Sequence, residues 1–229
     1  MEKLLRNEDK DKKKYENSKV KDLAVHAEKF LYYEEVILGK SYNTVRSYRR
    51  DIYQFIDYLN EYEEITKFDE VETITVRSFI AYLNSGDKSR QLSTESGGEK
   101  KEKPVNPVSK RSINRKISAL RTFFKYLQEK QIVKINKISY IAMPKFEKEL
   151  PNILNKEDLN KLRGVINTGK ITGVRDRLII EMLYSSGMRA SELIDLSEYM
   201  INIPEREIRV IGKGDKERIT FFSETAKKW

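Results

Sequence analysis

Apolar side chains recur at helical spacing along most of this chain, and the gaps between these stripes divide it into elements. Leu23, Ala27, Phe30, Leu31, Glu34 and Leu38 fall on one line and predict a first helix ending at Gly39. From Ser41 to Tyr62, Val45, Tyr48, Ile52, Phe55 and Leu59 mark a second, whose opposite face offers Asn43, Thr44, Arg46, Ser47, Arg50 and Gln54. Val76, Phe79, Ile80 and Leu83 give a third, with Thr73 or Thr75 as the expected cap. Between Ser85 and Pro107 the periodicity stops among Gly, Pro, Ser, Lys and Glu, the composition of a flexible loop. It resumes from Ser109 to Lys130, where Ile113, Ile117, Leu120, Phe124 and Leu127 make the strongest stripe. Periodicity is weak from Ile132 to Pro151, and Pro144 and Pro151 block helical continuation, which suits an extended linker.

Beyond the linker, Asn155 is placed to cap a helix carrying Leu159 and Leu162. The stretch LIIEMLYSSGMRASELIDL, Leu178 to Leu196, then organises the rest. Leu178, Met182 and Leu183 predict a buried helix that stops where Gly187 can adopt a left-handed conformation. Arg189 follows the stop, and Ser191 and Glu192 open a short helix. Glu192, three residues on, can hold the Arg189 guanidinium in one orientation. Downstream, REIRVI and RITFF are two alternating, β-branched runs around GKGDKE, a hairpin with Lys213 between two glycines at a basic tip.

Composition narrows the partners. Lys and Arg number 45 against 36 Asp and Glu, a net charge of +9. Between Lys88 and Lys134 stand 13 basic and 4 acidic residues, an excess equal to that of the whole chain. The polar side of the fourth helix carries Lys110, Arg111, Asn114, Arg115, Ser118, Arg121 and Lys125 with almost no acid between them. A merely solvated face mixes both signs, so these residues predict contacts to nucleic-acid phosphates and bases. Asn43, Thr44, Arg46, Ser47 and Arg50 are types that read base edges and phosphates too. With no cysteine and one histidine, neither disulfides nor a zinc site is expected. No apolar run is long enough for a membrane span, so no membrane partner is expected, and a reducing cytoplasm fits. His26, the sole histidine, sits on an apolar-patterned helix and reads as partly buried core.

SSGMRASELIDLS followed by IRVIGKGDKER resembles the catalytic domain of the tyrosine recombinases, the phage integrase family, and most closely its Xer-like members. The resemblance implies a mainly α fold: a four-helix SAM-like core-binding domain over residues 23–140 with a loop insertion at 85–107, a linker over 141–151, and the first part of a mixed α/β catalytic domain over 152–229 with a small β-hairpin. Residues 1–22, in which Lys alternates with Asp and Glu, are expected to form a flexible arm. By position, Arg189 matches the arginine that binds the scissile phosphate, Glu192 the acid supporting it, and Lys213 the hairpin lysine that protonates the leaving 5′ oxygen. Lys216 and Arg218 flank that lysine as further DNA contacts. The implied partner is double-stranded DNA, on which full-length relatives act as tetramers through a 3′-phosphotyrosyl intermediate.

The family's His-x-x-Arg box and nucleophilic tyrosine follow the hairpin, and neither is found within these 229 residues. Tyr184 and Tyr199 do not match the nucleophile position, and Tyr184 is expected to pack in the core. The chain is therefore expected to be a recombinase ending inside its catalytic domain, binding DNA without cleaving it. A non-catalytic DNA-binding regulator or decoy stays open as the alternative.

Overall fold

The computed structural model describes residues 14–16, 18–85, 108–145, 153–212 and 216–229 and divides into two compact units, Met1–Lys148 and Glu149–Trp229. Of the expected 1–22 arm, residues 1–13 lie outside the described residues, while Tyr15 and Val20 are buried in the core of the first unit; most of the expected 85–107 loop and Lys213 with its two successors also lie outside.

Four amphipathic helices build the first unit: α1 (Lys21–Tyr32), α2 (Tyr42–Tyr58), α3 (Thr73–Asn84) and α4 (Lys110–Glu129). The first two are shorter as α-helices than their apolar stripes, because each widens into a π-helical stretch, Tyr33–Ile37 after α1 and Leu59–Glu63 after α2. The cap of α3 is Glu72 rather than Thr73 or Thr75. Its carboxylate reaches the Thr75 backbone N–H while the Thr75 hydroxyl accepts from the Glu72 N–H at 3.4 Å, a reciprocal capping box that puts Thr75 one turn inside the helix. Ser109 caps α4 by accepting from the Ser112 N–H at 3.2 Å. The Val108 N–H bonds to the Leu83 carbonyl at 3.2 Å, so α3 and α4 enter and leave the intervening segment side by side.

Six phenylalanines, Phe30, Phe55, Phe68, Phe79, Phe123 and Phe124, are fully buried between these helices. Their rings meet edge to face, Phe68 lying 5.1 Å from Phe123 at 88° and 5.5 Å from Phe124 at 79°, the geometry their quadrupoles favour. Burying each contributes about 1.5–3 kcal/mol. The segment after α4 belongs to this core rather than to an extended linker: Val133, Ile138 and Ile141 are buried in it, with a short 3-10 turn at Lys137–Tyr140. Single apolar residues need no helical period to be buried in such a core.

A charge lies inside this apolar unit. Asp51 is fully buried on α2 and accepts from the Lys116 ammonium at 2.9 Å and from the Arg115 guanidinium, while Lys116 also donates to Gln54. Burial pushes the Lys116 ammonium below its ordinary pKa, and the Asp51 carboxylate pulls the other way.

In the second unit, α5 (Lys156–Gly164) is capped by the Asn155 side chain on the Asp158 N–H at 2.8 Å. Next comes α6 (Ile171–Ser186), which ends at Gly187 with φ +64°, the left-handed residue foreseen there, followed by the short α7 (Ala190–Ile194). The sheet has three antiparallel strands in the order β1 (Ile201–Asn202), β2 (Glu207–Ile211), β3 (Glu217–Phe221), so a short extra strand joins the expected hairpin. Arg209 stands opposite Ile219 and Val210 opposite Arg218. A last turn of helix, α8 (Glu224–Lys227), closes on the core formed by Met182, Met188, Ile208, Val210, Phe222 and Ala226. The buried helix expected here is buried only in part, since along α6 just Gly173, Glu181 and Met182 are enclosed. Glu181 accepts from Arg163 at 2.8 and 2.5 Å and from Arg177 at 2.8 Å.

Asp51→Asn is expected to destabilise the protein by about 3 kcal/mol, because it strands the buried Lys116 without its counter-ion. A urea unfolding midpoint unchanged by that substitution would show that the pair contributes nothing.

Candidate nucleic-acid interface

The local fold of α6 and α7 places Arg189. Gly187 ends α6 by turning the chain into the left-handed region, Met188 is buried as an anchor, and Arg189 becomes the N-cap of α7. Glu192 then falls on the third helical position, where its carboxylate reaches back to the Arg189 backbone N–H at 2.7 Å. The other oxygen accepts from the Arg189 guanidinium at 2.7 Å. The expected support of Arg189 by Glu192 is thus present, and the backbone bond adds a second tie.

The hairpin supplies more. Arg218 on β3 donates from both terminal nitrogens to the same carboxylate, at 3.0 and 2.7 Å. A carboxylate has about four acceptor positions, and these bonds occupy them. The Arg218 hydrogen bonds, then the Arg189 backbone and side-chain bonds, hold the Glu192 carboxyl far below the ordinary glutamate range against an opposing push from burial. Thr220 fastens β3 to the end of α6 by donating to the Ser186 carbonyl at 2.7 Å. Gly212 closes the hairpin, its N–H bonding to the Lys216 carbonyl at 2.7 Å. A Cβ at Gly212 would come within 3.3 Å of Arg218 Nη1 and 3.6 Å of Glu192 Oε1, so the backbone just before Lys213 runs directly past the ion-paired group. Lys216 is exposed, and Arg218, expected at DNA, is engaged by Glu192.

Tyr184 corrects an expectation. It is 56% exposed, with the Arg163 guanidinium 5.7 Å from its ring centre, because its position on α6 faces away from the small core. Arg177 pairs with Glu181 and lies 5.3 Å from the Trp229 ring, a structural use, and Arg175 pairs with Asp176.

In the first unit the two polar helix faces divide. Asn43, Arg46 and Arg50 on α2 and Lys110 and Arg111 at the start of α4 are exposed. Thr44 and Ser47 are half-buried and line, with Asn43, Tyr48, Asp51, Arg115 and Ala119, a shallow depression of about 290 Å³. Arg115 opens onto it with its guanidinium pinned by Asp51. Other residues are drawn into the scaffold: Asn114 donates to the Pro144 carbonyl at 2.8 Å, Arg121 to the Ile141 carbonyl, and Gln54 accepts from Lys116. Asn114 and Arg121 thus fasten the chain segment that leaves α4 rather than standing free. Sequence reasoning missed Asp51 and Lys116 as a buried pair. The signal existed: Lys116 falls three residues after Ile113 and four before Leu120, inside the apolar stripe. His26 is half-buried near the Phe68 ring, as expected. Among the described residues no cluster of three His, Cys, Asp or Glu could hold a metal ion, and no helix is long and apolar enough to cross a membrane.

Residues 28–131 match the phage integrase N-terminal SAM-like domain and residues 152–229 the phage integrase family domain, and the chain belongs to that family, the tyrosine recombinases. It is 32% identical over 199 residues to tyrosine recombinase XerD of Listeria monocytogenes, covering 87% of this chain and 60% of that protein. Against tyrosine recombinase XerC of Leptospira interrogans it is 32% identical over 203 residues, 87% of this chain and 58% of the relative. The chain therefore spans about three fifths of the length of these relatives. In fold it is similar to the XerH site-specific recombinase bound to its difH substrate, with a TM-score of 0.56 at 18% identity over 88% of this chain and 52% of that one.

An ordinary glutamate titrates near 4.5. The Glu192 carboxyl carbon is expected to show no titration step there, since protonation would break its bonds to both arginines. The stability these bonds give is present above the ordinary value and is lost only as pH falls through the depressed one. An NMR titration with a normal Glu192 step would contradict the geometry.

Proposed function

We propose that this chain binds duplex DNA, with α2 and α4 of the first unit as the groove-facing elements and Arg189 of the second unit as the ligand of a backbone phosphate, in site-specific DNA recombination. The observation that carries this reading is the Arg189 guanidinium, 68% exposed yet fixed through backbone and side chain to a Glu192 carboxylate only 5% exposed. A permanent cation held in one place is what a phosphodiester under attack requires, because charge accumulates on the non-bridging oxygens and a preorganised donor stabilises it without reorganising. Lys213 is assigned the proton for the leaving 5′ oxygen, a role that an amine positioned at the leaving group can fill. Supporting the DNA reading are the exposed Asn43, Arg46, Arg50, Lys110 and Arg111, while Lys216 extends the basic hairpin. The solved XerH complex with difH is in keeping with it.

Strand cleavage by the parent recombinase would pass through a 3′-phosphotyrosyl intermediate, with no cofactor needed because that bond conserves the phosphodiester energy. The 229 residues hold no His-x-x-Arg box and no tyrosine at the nucleophile position, so they are assigned DNA binding without cleavage.

Band shifts on duplex DNA over a salt series test this reading. Affinity should fall steeply with salt, and Arg46→Ala, Arg50→Ala, Lys110→Ala or Arg111→Ala should each reduce the log–log slope by about 0.9 where the residue meets a phosphate. Binding indifferent to salt would overturn the DNA reading. Incubated with a suicide duplex, these 229 residues should leave no covalent protein–DNA adduct, and an adduct would overturn the assignment of binding without cleavage.

A further inference from the structure

A carboxylate that holds a cation also cancels it. The Arg189 guanidinium and the Glu192 carboxylate, 2.7 Å apart, carry no net charge as a pair, and a neutral pair is a weak ligand for a phosphate. Arg218 changes the balance. It grips both Glu192 oxygens from the hairpin side, and with it the group of two guanidiniums and one carboxylate carries a single positive charge. That charge is not evenly displayed. Arg189 is 68% exposed and Arg218 39%, and Arg218 has both terminal nitrogens on the acid whereas Arg189 uses one, leaving its remaining donors to face outward. The Gly212 backbone lies close to the Arg218–Glu192 pair: a Cβ there would stand 3.3 Å from Arg218 Nη1 and 3.6 Å from Glu192 Oε1, a tight fit beside the arginine.

We propose that Arg218 is a positioning residue: it neutralises Glu192 so that Arg189 keeps its full charge for a DNA phosphate, and in doing so it ties the base of the lysine hairpin to the phosphate-binding arginine. The inference rests on the phosphate role of Arg189 given above, and it replaces a direct DNA contact for Arg218. The two roles differ in how they respond to Glu192. If Arg218 itself held a phosphate, changing the acid could not make good its removal. If Arg218 acts as a counter-charge, removing the negative charge as well returns the group to a net charge of one and restores binding.

The test is duplex-DNA affinity by band shift across a salt series for the chain and for Arg189→Gln, Arg218→Gln, Glu192→Gln and the double variant Glu192→Gln/Arg218→Gln, each checked for folding by circular dichroism. Arg189→Gln and Arg218→Gln are each expected to weaken binding about tenfold, the equivalent of one charge-assisted hydrogen bond. The double variant is expected to recover to within about twofold of the unaltered chain. A double variant as weak as Arg218→Gln overturns the proposal, since a direct contact or a purely structural part gives no rescue. If Arg218→Gln does not fold, Glu192→Gln decides: it raises the group by one charge, so binding should tighten and its salt dependence steepen, and unchanged or weaker binding overturns the proposal. Arg189→Gln without effect would instead remove the phosphate role of Arg189 on which all of this stands, so the two failures are told apart.

Discussion

Removing a carboxylate from water costs several kcal/mol unless donors replace its hydration shell, and in this protein that replacement is made by cations in pairs. Asp51 is met by Arg115 and Lys116, Glu181 by Arg163 and Arg177, and Glu192 by Arg189 and Arg218. Each acid therefore sits in a group with net positive charge and fixes two cations that would otherwise sample many rotamers. Glu34 is the contrast: it is buried with one oxygen unpartnered, and burial pushes its pKa up, towards the neutral acid. Buried acids with paired cations thus order the basic side chains of a chain whose charge would otherwise be diffuse.

The three groups differ in what they expose. Around Asp51, Lys116 is enclosed and only Arg115 looks out, over the depression beside Asn43, Thr44 and Ser47. Around Glu181 both arginines are largely covered, Arg177 beside Trp229 and Arg163 beside Tyr184, so this group joins α5 to α6. Around Glu192 one cation is turned outward and the other inward to the hairpin. The same physical device encloses both guanidiniums at Glu181 and leaves one exposed at Glu192, and the difference lies in which elements cover the guanidinium. At Glu192 the covering element is β3, whose alternation points Arg218 inward and Ile219 outward.

Local signals carried far in the sequence. The left-handed stop at Gly187, the cap at Asn155, the apolar stripes of α1 to α4 and the β-branched runs of β2 and β3 are each set by side chains within a few residues, so helical and extended periods could be read directly. Arg189 and Glu192 were legible as a pair for the same reason, being one helical turn apart. Illegible were the partners brought in from elsewhere: Arg218 lies 26 residues from Glu192, Lys116 lies 65 from Asp51, and Pro144 lies 30 from Asn114. The polar face of α4 shows the consequence. Its composition marked Asn114, Arg115 and Arg121 as free to meet a ligand, yet each found a nearer partner within the fold.

The sequence by itself determined the helical stripes, the hairpin, the basic excess and the turn that sets Arg189 over Glu192, because those depend on spacing along one stretch of chain. Tertiary structure decided which cations stay available. Guanidinium and ammonium groups have several donors and long flexible stems, so their fate depends on which acid or carbonyl the folded chain brings within reach, and that distance is a property of packing rather than of sequence.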